Sequence, residues 1–230
     1  EFTSGKVITT PATADFNDDG VMDFAYLTDE GVLTVASAEA SKVWKLWEAK
    51  DLGNVLYSSP LYLEETLDGL IVVSTDLGVT ALGARTGRVV WSKPLNEEFW
   101  ASPLGMDANR DNVADVVVTA MSGNVYVLNG LTGDEIWSTN VGANVKATPT
   151  AFDVTNDGVK DLIFASQDGT IRIFDGDRGR EEITREGFNE FQSSPLLADL
   201  KGDLLLEVLV VDIDGKIAAL GLNRKVSKAQ

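Results

Sequence analysis

The chain contains neither cysteine nor histidine among its 230 residues. Without cysteine there is no disulfide framework and no thiolate nucleophile, and without histidine the usual neutral-pH general base and the commonest transition-metal ligand are missing. Basic residues are also scarce: 19 Lys and Arg face 36 Asp and Glu, for a formal charge of −17. This charge disfavours nucleic acid and anionic membranes as partners and favours cations and basic surfaces.

The sequence also lacks a long apolar run, since none approaches the roughly 18 residues of a membrane-spanning helix. We therefore expect no direct membrane insertion. Hydrophobic residues make up 44% and charged residues 24%, values typical of a globular protein. The first residues, Glu1 and Phe2, suggest a processed chain or a domain excised from a longer protein.

What the sequence does contain is a unit repeated five times. Each copy carries a Ser/Thr-Pro pair, and the successive prolines are 49, 43, 46 and 46 residues apart. A turn glycine follows each proline after 18 or 20 residues. The pairs begin at Thr10, Ser59, Ser102, Thr148 and Ser194, and the glycines are Gly31, Gly78, Gly123, Gly169 and Gly215.

Within each copy, short apolar runs alternate with polar turns, which is typical of strands. Four strands in about 45 residues are typical of a β-propeller blade. The sequence therefore predicts an all-β fold, a single five-bladed β-propeller over residues 1–230, with a fragment of a larger propeller as the alternative. The expected blades are approximately 5–53, 54–96, 97–142, 143–188 and 189–230.

The strand before each proline is predicted to be innermost, since the residue two places before the proline is small. The fifth copy is the weakest. Its last strand would run from Lys225 to Ala229, without the tryptophan that recurs at Trp44, Trp91 and Trp137. Aromatic residues at a repeat position favour packing between blades.

The polar loop after each innermost strand is a candidate calcium site. A short calcium loop places oxygen donors at positions one, three and five, a backbone carbonyl at seven and a carboxylate at nine. The alternative is a simple hydrophilic turn, since Asp, Asn and Gly are also good turn formers. Three loops supply such ligands: Asp15, Asn17, Asp19, the Val21 carbonyl and Asp23; Asp107, Asn109, Asp111, the Val113 carbonyl and Asp115; and Asp153, Thr155, Asp157, the Val159 carbonyl and Asp161.

The other two loops have lost this pattern. The second is shortened, so that Leu70 takes the place of the closing carboxylate, and the fifth has Lys201 at position three, where an ammonium is expected to replace the ion. We therefore expect up to three structural Ca²⁺ ions, because an all-oxygen cage without nitrogen or sulfur suits calcium. Loops of this kind fill near millimolar calcium, which favours an extracytoplasmic location: periplasmic, secreted or cell-surface.

Two family resemblances rest on these features. The loops resemble the calcium-binding FG-GAP repeats of integrin α-subunit propellers and their bacterial relatives. The segments ALGARTGRVVW (81–91) and VLNGLTGDEIW (127–137) are similar to the tryptophan-docking pattern of the PQQ-like repeats of quinoprotein propellers. Gly83 and Asn129 stand where that pattern has aspartate. The resemblances imply a fold more firmly than an activity.

The residues before each proline carry the candidate recognition surface. The residue four places before is always apolar and is predicted to be core: Val7, Leu56, Phe99, Val145 and Phe191. The residue three places before varies and lies near the channel mouth: Ile8, Tyr57, Trp100, Lys146 and Gln192. Tyr57 and Trp100 could form an aromatic platform for a sugar or a peptide side chain, with Lys146 and Gln192 beside it. The alternative is that both rings pack between blades.

Only one pair of carboxylates invites a catalytic interpretation. Glu98 and Glu190 lie five places before their prolines and could serve glycoside hydrolysis, although solvated rim charges are the simpler interpretation. The sequence thus predicts a non-enzymatic, calcium-binding propeller that acts as a protein–protein interaction or scaffold domain. A carbohydrate-binding, lectin-like propeller with a glycan as partner is the alternative, and a glycosidase is a distant third.

Overall fold

The computed structural model describes residues 5–39, 42–64, 68–203 and 205–225, and these residues form strands and turns without any helix long and apolar enough to cross a membrane. Five antiparallel sheets follow one another along the chain, four with four strands and the last with three. The all-β propeller prediction is confirmed.

The strands fall into sheets that match the sequence repeats. The first sheet contains β1 (Ala12–Ala14), β2 (Asp23–Leu27), β3 (Leu33–Glu39) and β4 (Lys42–Ala49); the second contains β5 (Leu61–Leu63), β6 (Leu70–Thr75), β7 (Gly78–Gly83) and β8 (Val89–Pro94). The third contains β9 (Leu104–Met106), β10 (Asp115–Thr119), β11 (Asn124–Leu128) and β12 (Glu135–Asn140). The fourth contains β13 (Thr150–Phe152), β14 (Asp161–Ala165), β15 (Ile171–Phe174) and β16 (Glu181–Arg185), and the fifth contains β17 (Leu196–Ala198), β18 (Leu205–Val211) and β19 (Ile217–Lys225).

The hydrophobic core lies between consecutive sheets. In β10 every residue is buried, and its alternate side chains face opposite neighbours, as the two-residue period of a strand requires. Val116 and Val118 belong to the core shared with the second sheet, whereas Val117 belongs to the core shared with the fourth. The second strand of a blade therefore carries β-branched residues on both faces, and each face packs against a neighbouring sheet.

The Ser/Thr-Pro pairs form a belt of hydrogen bonds from blade to blade. The Thr10 amide donates to Ser59 Oγ at 3.0 Å, the Ser59 amide to Ser102 Oγ at 2.9 Å, and the Ser102 amide to Thr148 Oγ1 at 2.9 Å. Each hydroxyl thus accepts from the equivalent residue of the preceding blade. This explains the repeated hydroxyl, because an apolar residue there would leave an amide of the preceding blade without its acceptor.

Replacing Ser102 with alanine is expected to lower the free energy of unfolding by about 1–2 kcal/mol, because the part-buried Ser59 amide loses its acceptor. Urea unfolding monitored by tryptophan fluorescence measures the change. Ser138→Ala, at an exposed position on β12, is the matched control and should stay within about 0.5 kcal/mol of the unsubstituted protein. Equal losses in the two variants would contradict a structural role for the belt.

Tryptophans on the fourth strands dock each blade on the next. Strand pairing aligns Val35 with Trp47, as it aligns Ala81 with Trp91 and Val127 with Trp137. The prediction that Trp44 is the first of this series was therefore wrong. The β3–β4 hairpin is longer than its counterparts, so the spacing from the turn glycine does not transfer, and Trp44 is 37% exposed.

The prediction that the first strand of each blade lies before the proline was wrong. The first strands β1, β5, β9, β13 and β17 each begin one residue after it, because proline has no N–H to donate to a strand pair.

The predicted core positions before the prolines are only partly confirmed. Phe99, Val145 and Phe191 are buried, but Val7 is 44% exposed and Leu56 is 40% exposed. Leu56 lines a surface pocket, and Val7 is joined to the rest of the blade by an isolated β-bridge to Thr28.

The fifth sheet differs from the others at its outer edge. The fourth strand was predicted from Lys225 to Ala229. Lys225 is instead the last residue of the third strand, β19, and residues 226–229 lie outside the described residues. In the fourth blade, pairing with Ile173 places Ile183 where the first three blades carry tryptophan. The tryptophan docking seen between the first four blades is thus absent from the described contact between the fourth and the fifth.

Candidate functional site

The meander of each blade gives the propeller two different faces. Loops between first and second strands and turns between third and fourth strands lie at one end, which we call the loop face. Turns between second and third strands and the connections between blades lie at the other end, which we call the mouth face. The calcium-type loops and the variable residues before the prolines are therefore on opposite faces.

The mouth face brings the predicted platform residues together. The rings of Tyr57 and Trp100 lie 4.8 Å apart between centroids, at 47° to each other. Lys146 Nζ lies 5.1 Å from the centroid of Trp100, within reach of a cation–π interaction. Tyr57 nevertheless stays 55% exposed, so the two rings pack across the blades and still face solvent. Ile8, the counterpart in the first blade, is 44% exposed.

Two carboxylates flank this aromatic row. The Trp100 indole N–H donates to Glu98 Oε1 at 2.5 Å. Glu190 Oε1 accepts hydrogen bonds from Gln167 and from Gln192, the latter at 3.0 Å, and lies 3.7 Å from Lys146 Nζ. These contacts, led by those of Gln167 and Gln192, lower the pKa of Glu190. The four predicted residues are thus linked into one continuous row.

A pocket of about 340 Å³ opens beside the row. Asn54, Leu56, Asp76, Glu97, Glu98 and Phe99 line it. Sequence reasoning missed Asp76 and Glu97, because Asp76 belongs to the turn of the second blade and Glu97 to the connection that leads into the third. The only sequence signal was their position, since the turn and the connection between blades both lie on the mouth face.

On the loop face, the first calcium-type loop is held by its own carboxylates. Asp15 accepts the amides of Asp19 at 3.1 Å and Gly20 at 2.8 Å. Asp23 is 1% exposed, and its Oδ2 accepts the Phe16 amide at 3.0 Å. The third and fourth loops repeat both contacts, with Asp107 and Asp115 and with Asp153 and Asp161 in the same roles.

The closing carboxylates of the three loops differ in the hydrogen-bond partner of their second oxygen, Oδ1. Asp115 Oδ1 accepts the Gly130 amide at 3.1 Å, and Asp161 Oδ1 accepts the Gly176 amide at 3.4 Å. Burial raises the pKa of both Asp115 and Asp161. Asp23 Oδ1 is also buried but has no hydrogen-bond partner among the described residues. The first loop is therefore the one with a buried carboxylate oxygen left over.

The three predicted carboxylates of one loop do not form a compact group among the described residues. Among the described residues, the only three carboxylates with oxygens within 4.8 Å of one another are Asp157, Asp175 and Asp177. Asp157 comes from the fourth loop, while the other two come from the turn after β15. Arg110 Nη2 lies 3.4 Å from Asp157 and 3.8 Å from Asp177, so a guanidinium already offsets this charge. The sequence pattern of a single loop could not predict a carboxylate cluster whose members come from a loop and a separate turn.

In the fifth loop, Lys201 Nζ lies 2.7 Å from Glu207 Oε1, and this contact, followed by the Leu200 amide, lowers the pKa of Glu207. The second loop is described only in part, because residues 65–67 lie outside the described residues. Arg85, in the turn between β7 and β8, pairs with Asp18 of the first loop.

Comparison with known proteins identifies similar chains. Residues 18–219 match the sequence profile of the family described as outer membrane protein assembly factor BamB. No curated protein sequence matches significantly. BamB from Moraxella catarrhalis is 21% identical with a TM-score of 0.67, and the match covers 94% of this chain and 61% of that one.

Two solved enzymes share the fold at lower identity. A europium-containing methanol dehydrogenase is 14% identical with a TM-score of 0.71, over 95% of this chain and 50% of that one. The quinohemoprotein alcohol dehydrogenase from Comamonas testosteroni is 14% identical with a TM-score of 0.62, over 95% and 43%. The chain thus spans less than two thirds of the length of each. Identities this low describe the fold alone.

Proposed function

The chain belongs to the family of the outer membrane protein assembly factor BamB, and from this premise we propose that it is a non-catalytic propeller that binds another protein through its mouth face, within an extracytoplasmic protein. The observation that carries the proposal is the exposed row in which Tyr57 stacks on Trp100 beneath Lys146. Half-exposed aromatic side chains with fixed polar neighbours are typical of interface hot spots. The family description, an assembly factor, supports a role in contacts between proteins.

Glu190 does not fit the role of the acid in glycoside hydrolysis. A glycosidase needs one carboxylic acid whose pKa is raised, so that it stays protonated near neutral pH. The pKa of Glu190 is instead lowered, chiefly by hydrogen bonds from Gln167 and Gln192. Glu98 accepts the indole N–H of Trp100. Turnover of an aryl glycoside that is lost in Glu98→Gln would contradict this part of the proposal.

Trp100→Ala is expected to weaken recovery of the partner at least about tenfold, because it removes the ring that contacts both Tyr57 and Lys146. Crosslinking of the purified chain in an extract of its source cells, followed by mass spectrometry, measures the recovery. Trp44→Ala is the matched control, since Trp44 is also exposed but lies on an outer strand.

Recovery that is equal for Trp100→Ala and Trp44→Ala would contradict the mouth face as the binding surface. Treatment of the extract with glycosidases distinguishes a protein from a glycan partner. A contact with a protein surface survives the treatment, whereas the lectin-like alternative requires that it be abolished.

We also propose that calcium binds the loop face, first at residues 15–23. Asp23 Oδ1 supports this, since it is buried and has no hydrogen-bond partner in the described part of the chain. A buried carboxylate oxygen without a partner is costly, and a cation would supply one. The loop turns through Gly20 at a φ of 82°, and its equivalents Asn112 and Gly158 have φ values of 65° and 94°. The three loops therefore share the left-handed residue that lets a short chain turn around an ion. Thermal unfolding with and without free calcium tests this assignment.

A further inference from the structure

Apolar side chains are exposed on the mouth face. Leu56 is 40% exposed, Ile8 44% and Tyr57 55%. Tyr57 contacts Trp100 across the blades, and Leu56 lines the pocket beside them. Exposed apolar side chains rimmed by polar groups are typical of an interaction surface.

The pocket beside these side chains combines an apolar base with fixed carboxylates. Phe99 is 3% exposed and Leu56 lies next to it in the lining. Asp76 accepts the backbone and side-chain N–H groups of Asn54, both at 2.7 Å. These contacts leave Asp76 with further lone pairs, because a carboxylate offers about four acceptor sites.

The other two carboxylates are held in a similar way. Glu97 accepts Asn124 Nδ2 at 2.6 Å, the Tyr126 hydroxyl at 3.1 Å and the Ser122 hydroxyl at 2.9 Å. Glu98 accepts the Trp100 indole N–H through Oε1, and no described residue donates to its Oε2. The positions of the charges are therefore set before any partner arrives, which lowers the entropic cost of binding.

No basic side chain lines the pocket among the described residues. Lys146 lies over the Trp100 ring and pairs with Glu190 at 3.7 Å instead. Three carboxylates around an apolar base are thus left without an internal cation, in a chain whose formal charge is −17. Charge complementarity selects a basic group as the occupant.

We propose that this pocket receives an arginine side chain from an extended segment of the partner protein, with neighbouring apolar side chains of that segment on Tyr57 and Trp100. A guanidinium is planar, is weakly hydrated, stacks on aromatic rings and carries five N–H donors that can serve two carboxylates at once. A volume of about 340 Å³ lies in the range of small-ligand pockets. This inference rests on the proposed function, because it specifies the chemistry of the same mouth face.

The test uses two short peptides, acetyl-Leu-Arg-Leu-amide and the same peptide with citrulline in place of arginine. Citrulline keeps the shape of the side chain and removes its charge. The probe is the indole N–H signal of Trp100 in two-dimensional NMR, assigned with Trp100→Phe. The arginine peptide is expected to give saturable shifts with an affinity at least about tenfold higher than that of the citrulline peptide, as hydrogen bonds to charged groups predict.

Glu98→Gln should lower the affinity for the arginine peptide to that for the citrulline peptide. Glu64→Gln, which removes an exposed carboxylate on the loop face, is the matched control and should change nothing. Equal affinity for both peptides, no saturable shift, or an unaffected Glu98→Gln variant would each overturn the inference. A protein partner that is lost in Trp100→Ala despite such a result would leave the proposed function standing, so the two failures are distinguishable.

Discussion

Replacing Trp91 with alanine is expected to lower the free energy of unfolding by about 3–5 kcal/mol, the range for deletion of a large buried aromatic side chain. Trp91 is 7% exposed and belongs to the core between the second and third blades. Its indole N–H donates to the Gly130 carbonyl at 2.9 Å. The substitution therefore opens a cavity and leaves a buried carbonyl without its donor, and both effects act on the same junction between blades.

The glycine opposite the ring shows how closely the two blades meet. A Cβ atom on Gly133 would lie 2.6 Å from Trp91 Cε3, and Gly133 has a φ of 73°. The same arrangement joins Trp47 to Gly87 and Trp137 to Gly179. The Thr-Gly or Arg-Gly turn is thus required both for its backbone conformation and for the space that the indole occupies.

Urea denaturation with a constant m-value measures the loss. Trp91→Phe should recover most of the packing but not the hydrogen bond, and a remaining deficit of about 1 kcal/mol would separate the two contributions. Trp44→Ala is the control, because its ring is 37% exposed and makes no equivalent junction. A loss at Trp91 no larger than that at Trp44 would contradict the docking role.

These junctions also show how far the sequence could predict the fold. The recurring Ser/Thr-Pro pairs and turn glycines predict five sheets in the correct order, because each marks a backbone position that every blade must repeat. The identity of the first docking tryptophan did not follow, since the longer β3–β4 hairpin shifts the fourth strand relative to the turn glycine. Register across a hairpin depends on pairing, which residue spacing describes only when the hairpins have equal length.

The candidate site also contains some residues that the sequence could predict and others that it could not. Tyr57, Trp100, Lys146 and Gln192 were predictable, because they occupy one repeat position and neighbouring blades must bring such positions together. The pocket beside them was not, since Asp76 belongs to a turn, and Glu97 is oriented by Ser122, Asn124 and Tyr126 of the next blade. Contacts made between non-equivalent positions of two blades leave no periodic signal.

Calcium is expected to raise the midpoint of thermal unfolding, and removal of calcium with EDTA is expected to lower it. An ion that binds only the native state stabilises it by about 2.7 kcal/mol per site at a free concentration of 100 times its dissociation constant. The expected order of occupancy begins with residues 15–23, where Asp23 Oδ1 is buried without a partner. In the other two loops the equivalent oxygens of Asp115 and Asp161 already accept the amides of Gly130 and Gly176.

Variants assign the effect to a loop. Asp23→Asn retains an acceptor for the Phe16 amide and removes the buried charge, so it should abolish the largest part of the calcium-dependent shift. Asp203→Asn alters the fifth loop, where Lys201 pairs with Glu207, and should leave the shift unchanged. Equal midpoints of thermal unfolding in calcium and in EDTA would contradict calcium binding at all three loops. If Asp23→Asn kept the full calcium-dependent shift, the ion would be assigned to the third or fourth loop instead of the first. The buried Asp23 Oδ1 would then require a different donor. The loop pattern alone could not separate these outcomes, because the hydrogen bonds to the first carboxylate are repeated in all three loops, whereas the second oxygen of the closing carboxylate has an amide donor only in the third and fourth.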